Sequence, residues 1–326
     1  MWINSWFLRE QAAVARDDVH LTSHRHKTEL DLKPLDDYVK YYELPENMEC
    51  SRNKSTNASL AYLLDLPTPC SSGKEHCVVA FSLFCGGVRH AFPHANNQCQ
   101  RYTSHLSNLY GWKSVFAGWE IRVYTDDSVP ANLLAPFREF VNVVTVNASM
   151  KGAGTWGTMW RLLPLWDSSV DRFITRDIDS VPLVRDWATT YEWIRLSQLF
   201  PSYRCADNVK HYSHPILAGA LGISRDSLTS KQRGMLLSKF QNKAKFMTKY
   251  GDQEWLEQNV WPLVKHNMLS FDVEHCESGV YPNVQPFPIP HSQCDWIMGG
   301  PDDFFGQRDE VPQECLHKQH ASWKWG

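Results

Sequence analysis

"RFITRDIDSVPLVRDW", residues 172–187, is the stretch of sequence that decides the fold and points to a site. A short apolar, β-branched run ends in two aspartates, Asp177 and Asp179, that are one residue apart. Carboxylates at positions i and i+2 can point the same way once a strand gives way to a turn, and they repel each other unless a positive charge lies between them. A divalent metal ion would supply that charge. Alternatively, Asp177 caps the next helix and Asp179 pairs with Arg176 or Arg185.

Short β-branched or aromatic runs continue outward from this stretch and alternate with helical patterns. The helical patterns are "QRYTSHLSNLYGW" before the second run and "TWGTMWRLLPLW" before the fourth. This alternation predicts an α/β fold with a doubly wound, largely parallel sheet flanked by helices, in which ligands bind outside the carboxyl ends of the strands. The runs are "VVAFSLF" (78–84), "EIRVYT" (120–125), "FVNVVTV" (140–146) and "RFIT" (172–175).

Residues 1–76 differ in texture from the rest, because charged and polar runs alternate there with short apolar pieces and end in "PTPCSSGKEHC". We interpret this part as an N-terminal extension or stem, and residues 77–326 as a separate folded domain. The 326-residue chain is 43% hydrophobic, which is ample for a core, and its net charge of −3 argues against nucleic acid as a partner.

Cysteines and glycosylation signals indicate the compartment. Nine cysteines without metal-type spacing predict disulfides, with Cys294 joined to Cys315 and with Cys50 or Cys70 linking the extension to residues 77–326. Sequons at Asn53, Asn57 and Asn147 add to a prediction of a glycoprotein in the secretory-pathway lumen, in the Golgi or secreted. No apolar run approaches the roughly 20 residues that span a bilayer, so we expect a soluble protein or the lumenal part of an anchored one.

The segment "GTMWRLLPLWDSSVDRFITRDIDSVPL" (157–183) resembles nucleotide-sugar glycosyltransferases of the GT-A fold, in which a helix with an arginine and a proline leads into a strand and a DxD motif. Glycogenin-like and lipooligosaccharide galactosyltransferase-like enzymes are examples. The resemblance covers residues 78–310 and implies that residues 77–326 form the catalytic domain, with a nucleotide-binding half, 77–180, and an acceptor-binding half, 181–326. Three further blocks match in order: "AGWEIRVYTDDSVP" (117–130), "SHPILAGALG" (213–222) and "YGDQEWLEQNVWP" (250–262).

The resemblance implies a Mn²⁺ or Mg²⁺ ion that neutralises the departing diphosphate. Asp179 would ligate the metal, Asp177 would also reach the sugar and ribose, and Asp272 would complete the shell, with His275 as the alternative. Phe271 stands where related proteins have a histidine. Arg161 would neutralise phosphate or hold Asp177 in place.

Further residues are implied to bind the two substrates or to take part in the reaction. The nucleoside would lie against Phe84, Arg101, Tyr102 and Asn108. The sugar pocket would include Asp207, His214 and Gly219, with Asp252 and Gln253 of "GDQEW" as the catalytic pair.

The sequence therefore predicts a metal-dependent transfer of a hexose from a nucleoside diphosphate sugar, UDP-linked, to a hydroxyl of a glycan or glycoprotein. The aspartate–glutamine pair favours retention of the anomeric configuration. In the alternative inverting mechanism Asp252 is the general base. A catalytically silent carbohydrate-binding protein of the same fold and a nucleotidyltransferase are the two competing hypotheses for the function.

Overall fold

Eight strands form a single mixed sheet in the computed structural model, which describes residues 66–85, 102–146, 157–180, 182–206, 214–241, 251–272, 281–285 and 287–288. The strands are β1 Cys77–Leu83, β2 Glu120–Thr125, β3 Val141–Thr145, β4 Arg172–Thr175, β5 Ser202–Ala206, β6 Leu221–Ser224, β7 Met268–Asp272 and β8 Val284–Gln285. The four strands expected from the sequence are β1 to β4, so that prediction is confirmed.

The strand order is β3-β2-β1-β4-β6-β5-β7-β8, and only β6 runs antiparallel to its neighbours. The chain builds outward from β1 to β3 and then returns to the other side of β1 to place β4. The predicted doubly wound, largely parallel sheet is therefore confirmed, and the direction of winding reverses between β1 and β4.

Helices cover both faces of the sheet, and its central strands are buried on both sides, whereas the edge strands β3 and β8 are partly exposed. The α-helices are α1 Asn108–Val115, α2 Ala131–Leu134, α3 Val184–Arg195, α4 Ser230–Gln241, α5 Gly251–Trp255 and α6 Trp261–Val264. A π-helix, Leu256–Val260, joins α5 to α6, and short 3₁₀ helices cover Ala135–Phe137, Arg225–Ser227 and Lys265–Asn267.

The predicted helix before β4 is a ten-residue 3₁₀ helix, Gly157–Trp166. Pro164 lies inside it and has no amide N–H, so the helix lacks one backbone hydrogen bond at that residue. This helix packs against β1 and β4 and contributes Trp160 and Trp166 to the core on its face of the sheet. The opposite face is covered by α1 and α3, which contribute Trp112 and Trp187.

A network of charged residues closes the amino end of the sheet. We name His76, Glu120, Arg122 and Asp167 the amino-end network. Arg122 donates hydrogen bonds to Glu120 at 3.0 Å and to Asp167 at 2.8 Å, and His76 Nε2 lies 2.6 Å from Glu120 Oε2. Burial acts to raise the pKa of Glu120, but hydrogen bonds from Arg122 and its charge outweigh this and lower the pKa to about 2.

The last residues of the predicted extension lie against this end of the sheet. A disulfide joins Cys70 to Cys77, and Arg172 donates to Glu75 at 3.0 Å. The disulfide ties Cys70 of residues 1–76 to Cys77, the first residue of β1, which is one of the two links that the sequence predicts for this part of the chain. Cys50, Cys294 and Cys315 lie outside the described residues, as do the sequons at Asn53, Asn57 and Asn147. In the part of the chain that the structure describes, no helix has both the length and the apolar character to cross a membrane.

Candidate active site

The turn after β4 presents the two aspartates at the carboxyl edge of the sheet. The amide of Ser180 donates to the carbonyl of Asp177 at 3.0 Å and closes the turn. Arg176, Ile178 and Ser180 are buried, with at most 4% exposure, whereas Asp177 and Asp179 are partly exposed. Because buried and partly exposed residues alternate along the turn, the carboxylates of Asp177 and Asp179 both lie outside the core.

The location of this turn is where a ligand is expected in a doubly wound sheet. β4 pairs with β1, and the winding reverses between these two strands. A crevice forms outside the carboxyl ends of strands at such a point, since the connections leave in opposite directions. Phe84, which follows β1, and Asp177, which follows β4, therefore flank the same crevice.

A buried arginine connects the turn to the other predicted catalytic block. Arg161, on the 3₁₀ helix before β4, donates from Nη1 to Asp177 Oδ1 and from Nη2 to Asp252 Oδ2, the latter at 2.7 Å. Its own amide donates to Ser82 Oγ at 2.9 Å. We name Arg161, Asp177 and Asp252 the carboxyl-end cluster.

Arg161 stays charged in this environment. Burial acts to lower its pKa, but the charges of Asp177 and Asp252 outweigh that effect and raise it above the usual value. One of the two roles expected for Arg161, to hold Asp177 in place, matches this geometry.

Asp252 is almost fully buried and both of its carboxylate oxygens are engaged. Oδ2 accepts from Arg161, and Oδ1 accepts from the amide of Gln253 at 3.0 Å. Its exposure is 3%. A general base needs an oxygen open to the acceptor hydroxyl, so this geometry favours a charge-balancing role over the alternative role as base.

Gln253 connects α5 to the loop that precedes β6. Its Oε1 accepts from the amide of Ala218 at 2.8 Å, beside the buried Gly219. Within the described residues, no hydrogen bond uses the side-chain NH₂ of Gln253. One turn further along, His214 Nδ1 lies 2.7 Å from Glu257 Oε1, so a second contact holds the same loop.

The carboxylate pair fits a divalent cation by its chemistry. Mg²⁺ and Mn²⁺ favour oxygen ligands, and Mg²⁺ is commonly held by one or two carboxylates together with phosphate oxygens and water. Asp177 commits Oδ1 to Arg161, its side chain is 34% exposed, and no described residue donates to its Oδ2. Asp177 and Asp179 would therefore hold the ion, with the substrate's phosphates supplying other ligands.

The structure does not bring Asp272 to this pair. Asp272 ends β7, which is three strands from β4 and so roughly 14 Å away. It accepts from Arg204 at 2.8 Å, and both side chains are fully buried. Among the described residues, close groups of three potential metal ligands are limited to Cys70, Glu75 and Cys77, two of which form the disulfide. The geometry therefore supports a metal site with two protein carboxylates, Asp177 and Asp179.

The residues predicted to bind the nucleoside have protein contacts of their own. Phe84 lies edge-on to Trp160 at 5.7 Å and touches Gly157, where an added Cβ would come within 2.3 Å of the Phe84 ring. Tyr102 packs against the core, and Asn108 Nδ2 donates to the carbonyl of Ser180 at 3.2 Å. Arg101, Asp207 and His275 lie outside the described residues.

The alternative interpretation of the aspartate pair differs from the structure in two respects. The residue before α3 is Leu183, and no side chain caps that helix, so Asp177 is not its cap. Arg176 pairs with Asp186 and not with Asp179, while the alternative pairing of Asp179 with Arg185 stays a prediction. The Arg176–Asp186 pair is not apparent from the sequence, although an arginine directly after a buried strand signals that a buried partner must exist.

No protein-family model and no curated protein sequence matches the chain. Solved structures that are similar to it include a protein from Desulfovibrio desulfuricans described as a nucleotide-diphospho-sugar transferase, with 10% identity, a TM-score of 0.35, and coverage of 60% of this chain and 79% of the other. Another is a mannosyltransferase from Pyrobaculum calidifontis in complex with GDP-Man and Mn²⁺, with 12% identity, a TM-score of 0.36 and coverage of 69% and 61%.

A third similar structure is glucosyl-3-phosphoglycerate synthase from Mycobacterium tuberculosis in complex with Mn²⁺, UDP-glucose and glycerol 3-phosphate. It shows 13% identity, a TM-score of 0.30, and coverage of 61% of this chain and 75% of the other. Because all three TM-scores are below 0.5, the function proposed for this chain rests on its own residues.

Proposed function

We propose that this protein is a metal-dependent glycosyltransferase of the GT-A type that transfers a hexose from a nucleoside diphosphate sugar, UDP-linked, to a hydroxyl of a glycan or glycoprotein. One observation carries the proposal. Two partly exposed carboxylates, Asp177 and Asp179, lie on one turn at the point where the winding of the sheet reverses, and a buried arginine ties one of them to Asp252.

Each residue of the site has a distinct task in this proposal. Asp177 and Asp179 would hold Mn²⁺ or Mg²⁺, which would supply the positive charge that stabilises a departing diphosphate. Arg161 carries a permanent positive charge between Asp177 and Asp252, and so fixes the orientation of Asp177 without taking up its second oxygen. Asp252 balances that charge in a buried position where an isolated cation would be costly.

Retention of the anomeric configuration is part of the proposal. Both oxygens of Asp252 are engaged within the protein, whereas Gln253 offers a side-chain NH₂ that can donate to the sugar or the departing phosphate. In a front-face reaction the departing phosphate accepts the proton of the acceptor hydroxyl, so no protein base is needed. Proton NMR of the new linkage reports the configuration through its coupling constant. An inverted product would make Asp252 the candidate base after all.

A secretory-pathway compartment, in the Golgi or outside the cell, is also proposed. The Cys70–Cys77 disulfide supports it, because such bonds persist in oxidising compartments. Mass spectrometry of the protein from its native source tests this, since reduced Cys70 and Cys77 together with unmodified sequons would contradict it.

The direct test of activity measures free nucleoside diphosphate after incubation of the protein with UDP- and GDP-sugars and Mn²⁺. We expect release that EDTA abolishes and that Asp179→Asn removes. Asp167→Asn is a matched control, because Asp167 also lies in a charged network but at the amino end of the sheet. Binding of the sugars without any release would favour the catalytically silent alternative, and release of pyrophosphate from a nucleoside triphosphate would favour a nucleotidyltransferase.

A further inference from the structure

The turn that carries Asp177 and Asp179 is held by the residues that alternate with them. Arg176, Ile178 and Ser180 all point away from the crevice and are buried. Arg176 and Ser180 meet different parts of the molecule, so the turn is held at both ends.

Arg176 makes the most extensive of these contacts. Its Nε donates to Asp186 Oδ2 at 2.8 Å, its Nη2 donates to Asp186 Oδ1 and, at 2.7 Å, to the Tyr203 hydroxyl, and its Nη1 donates to the carbonyl of Thr175 at 2.6 Å. The side chains of Arg176 and Asp186 have 0% exposure. The arginine therefore ties the end of β4 to both α3 and β5.

Tyr203 is fixed in turn by two neighbours. Its hydroxyl lies 2.9 Å from Thr190 Oγ1 on α3. Its ring lies over Gly222, the residue opposite it on β6, where an added Cβ would come within 2.0 Å of the ring. A glycine at this position leaves the space that the tyrosine needs.

The other end of the turn is held from α1. The carbonyl of Ser180 accepts hydrogen bonds from Asn108 Nδ2 and from Trp112 Nε1, each at 3.2 Å. The Asn108 side chain therefore contacts the turn that carries Asp177 and Asp179 through the backbone carbonyl of Ser180.

A fully buried ion pair is a poor source of stability, because desolvation of both charges offsets their attraction. Two carboxylates on one turn also repel each other, so the turn needs a rigid support before a cation arrives. From these contacts we infer that Arg176, Asp186 and Tyr203 are positioning residues that set the placement of Asp177 and Asp179, and hence the affinity of the site for Mn²⁺. This inference rests on the proposed function.

The test compares two tyrosine-to-phenylalanine variants. Tyr203→Phe removes the hydroxyl that accepts from Arg176. Tyr124→Phe is the matched control, because Tyr124 is also buried and its hydroxyl accepts from a buried arginine, Arg122, at 3.3 Å. Thr190→Val is a milder second variant that removes only the partner of the Tyr203 hydroxyl.

Mn²⁺ affinity is measured by electron paramagnetic resonance of free Mn²⁺, in the presence of saturating UDP and, separately, GDP. We expect Tyr203→Phe to weaken Mn²⁺ binding about 10-fold, as loss of outer-shell support does in metal sites. Thr190→Val should weaken it in the same direction, and Tyr124→Phe should leave it unchanged. Melting temperatures recorded in parallel should fall by similar amounts in both tyrosine variants.

Three results would overturn the inference. Unchanged Mn²⁺ affinity in Tyr203→Phe and Thr190→Val would show that the buried network has no influence on the metal site. Equal weakening in Tyr124→Phe would mean that general destabilisation explains the effect. A wild-type protein that binds no Mn²⁺ with either nucleotide would refute the proposed function as well, so the two failures are distinguishable.

Discussion

The amino-end network and the carboxyl-end cluster lie at opposite ends of the sheet, and each contains a buried arginine that bridges two carboxylates. At the amino end Arg122 joins Glu120 to Asp167, and at the carboxyl end Arg161 joins Asp177 to Asp252. The ionic chemistry is therefore the same at both ends.

The two ends differ in how completely the carboxylates are used. Glu120 also accepts from Asn142 and meets His76, and Asp167 also accepts from Ser169. Among the described residues, Asp177 instead receives a side-chain hydrogen bond only from Arg161. The comparison indicates that a closed network serves the fold, whereas an incompletely satisfied carboxylate at the crevice is available to a ligand.

The largest effect that we expect on stability comes from removal of Arg161. Arg161→Met leaves Asp252 charged and buried, which should cost about 3–5 kcal/mol of unfolding free energy. Urea unfolding measures it. The double variant Arg161→Met with Asp252→Leu removes both charges and should recover most of the loss. A loss below about 1 kcal/mol in the single variant would mean that solvent reaches Asp252 and that the cluster is not buried as described.

The next largest effect is on turnover, and we expect it from Gln253→Ala, beside Asp252 of the carboxyl-end cluster. We expect kcat to fall about 10²- to 10³-fold, because a group that orients or stabilises charge in the transition state is lost. Asp252→Asn should also leave slow but measurable transfer. Single-turnover assays measure both variants, and a complete loss in Asp252→Asn together with an inverted product would assign Asp252 as the general base.

At the amino end, Arg122→Met should lower the free energy of unfolding by less than Arg161→Met does. The Glu120 and Asp167 side chains are each 22% exposed, so water can partly replace the guanidinium. We expect a loss of about 1–3 kcal/mol, between the values for exposed and buried pairs. Turnover and Mn²⁺ affinity should stay unchanged in the folded fraction. A tenfold loss of Mn²⁺ affinity in Arg122→Met would contradict the claim that only the carboxyl end of the sheet supports the metal site.

The smallest effect is a dependence of stability on pH. The pKa of Glu120 is lowered from 4.5 to about 2 in the folded protein. The ionised carboxylate therefore contributes fully to the free energy of unfolding above pH 4.5, and this contribution is lost as the pH falls towards 2. Between pH 7 and pH 4 the stability advantage of the wild type over Glu120→Gln should shrink by about 1 kcal/mol. Denaturant unfolding at both pH values measures it, and a constant difference would contradict the lowered pKa.

The sequence predicts the first half of the sheet well, because β1 to β4 are β-branched runs whose burial follows from their own composition. The aspartate turn can be located because it directly follows the β4 run. By contrast, β5 has Arg204 at its centre, and a strand with a buried arginine becomes plausible only once Asp272, 68 residues away, is known to pair with it.

The parts of the site that the sequence does not reveal depend on contacts between distant residues. Arg176 is adjacent to Asp177 in the sequence, yet its role follows from Tyr203, 27 residues later. Asp272 is a reasonable metal ligand by residue type, but its place on β7 puts it beside Arg204 and away from β4. The order of the strands in the sheet determines which residues Arg176 and Asp272 contact, and local sequence patterns do not reveal that order.

Calorimetric binding of UDP with Mn²⁺, compared between Asp179→Asn and Asp167→Asn, tests most directly the claim that the carboxyl end of the sheet holds the donor site. We predict that wild-type protein and Asp167→Asn bind UDP in Mn²⁺ and lose that binding in EDTA, while Asp179→Asn shows no metal-dependent binding and keeps its melting temperature. Equal UDP affinity with and without EDTA in the wild type, or unchanged metal-dependent binding in Asp179→Asn, would contradict this claim.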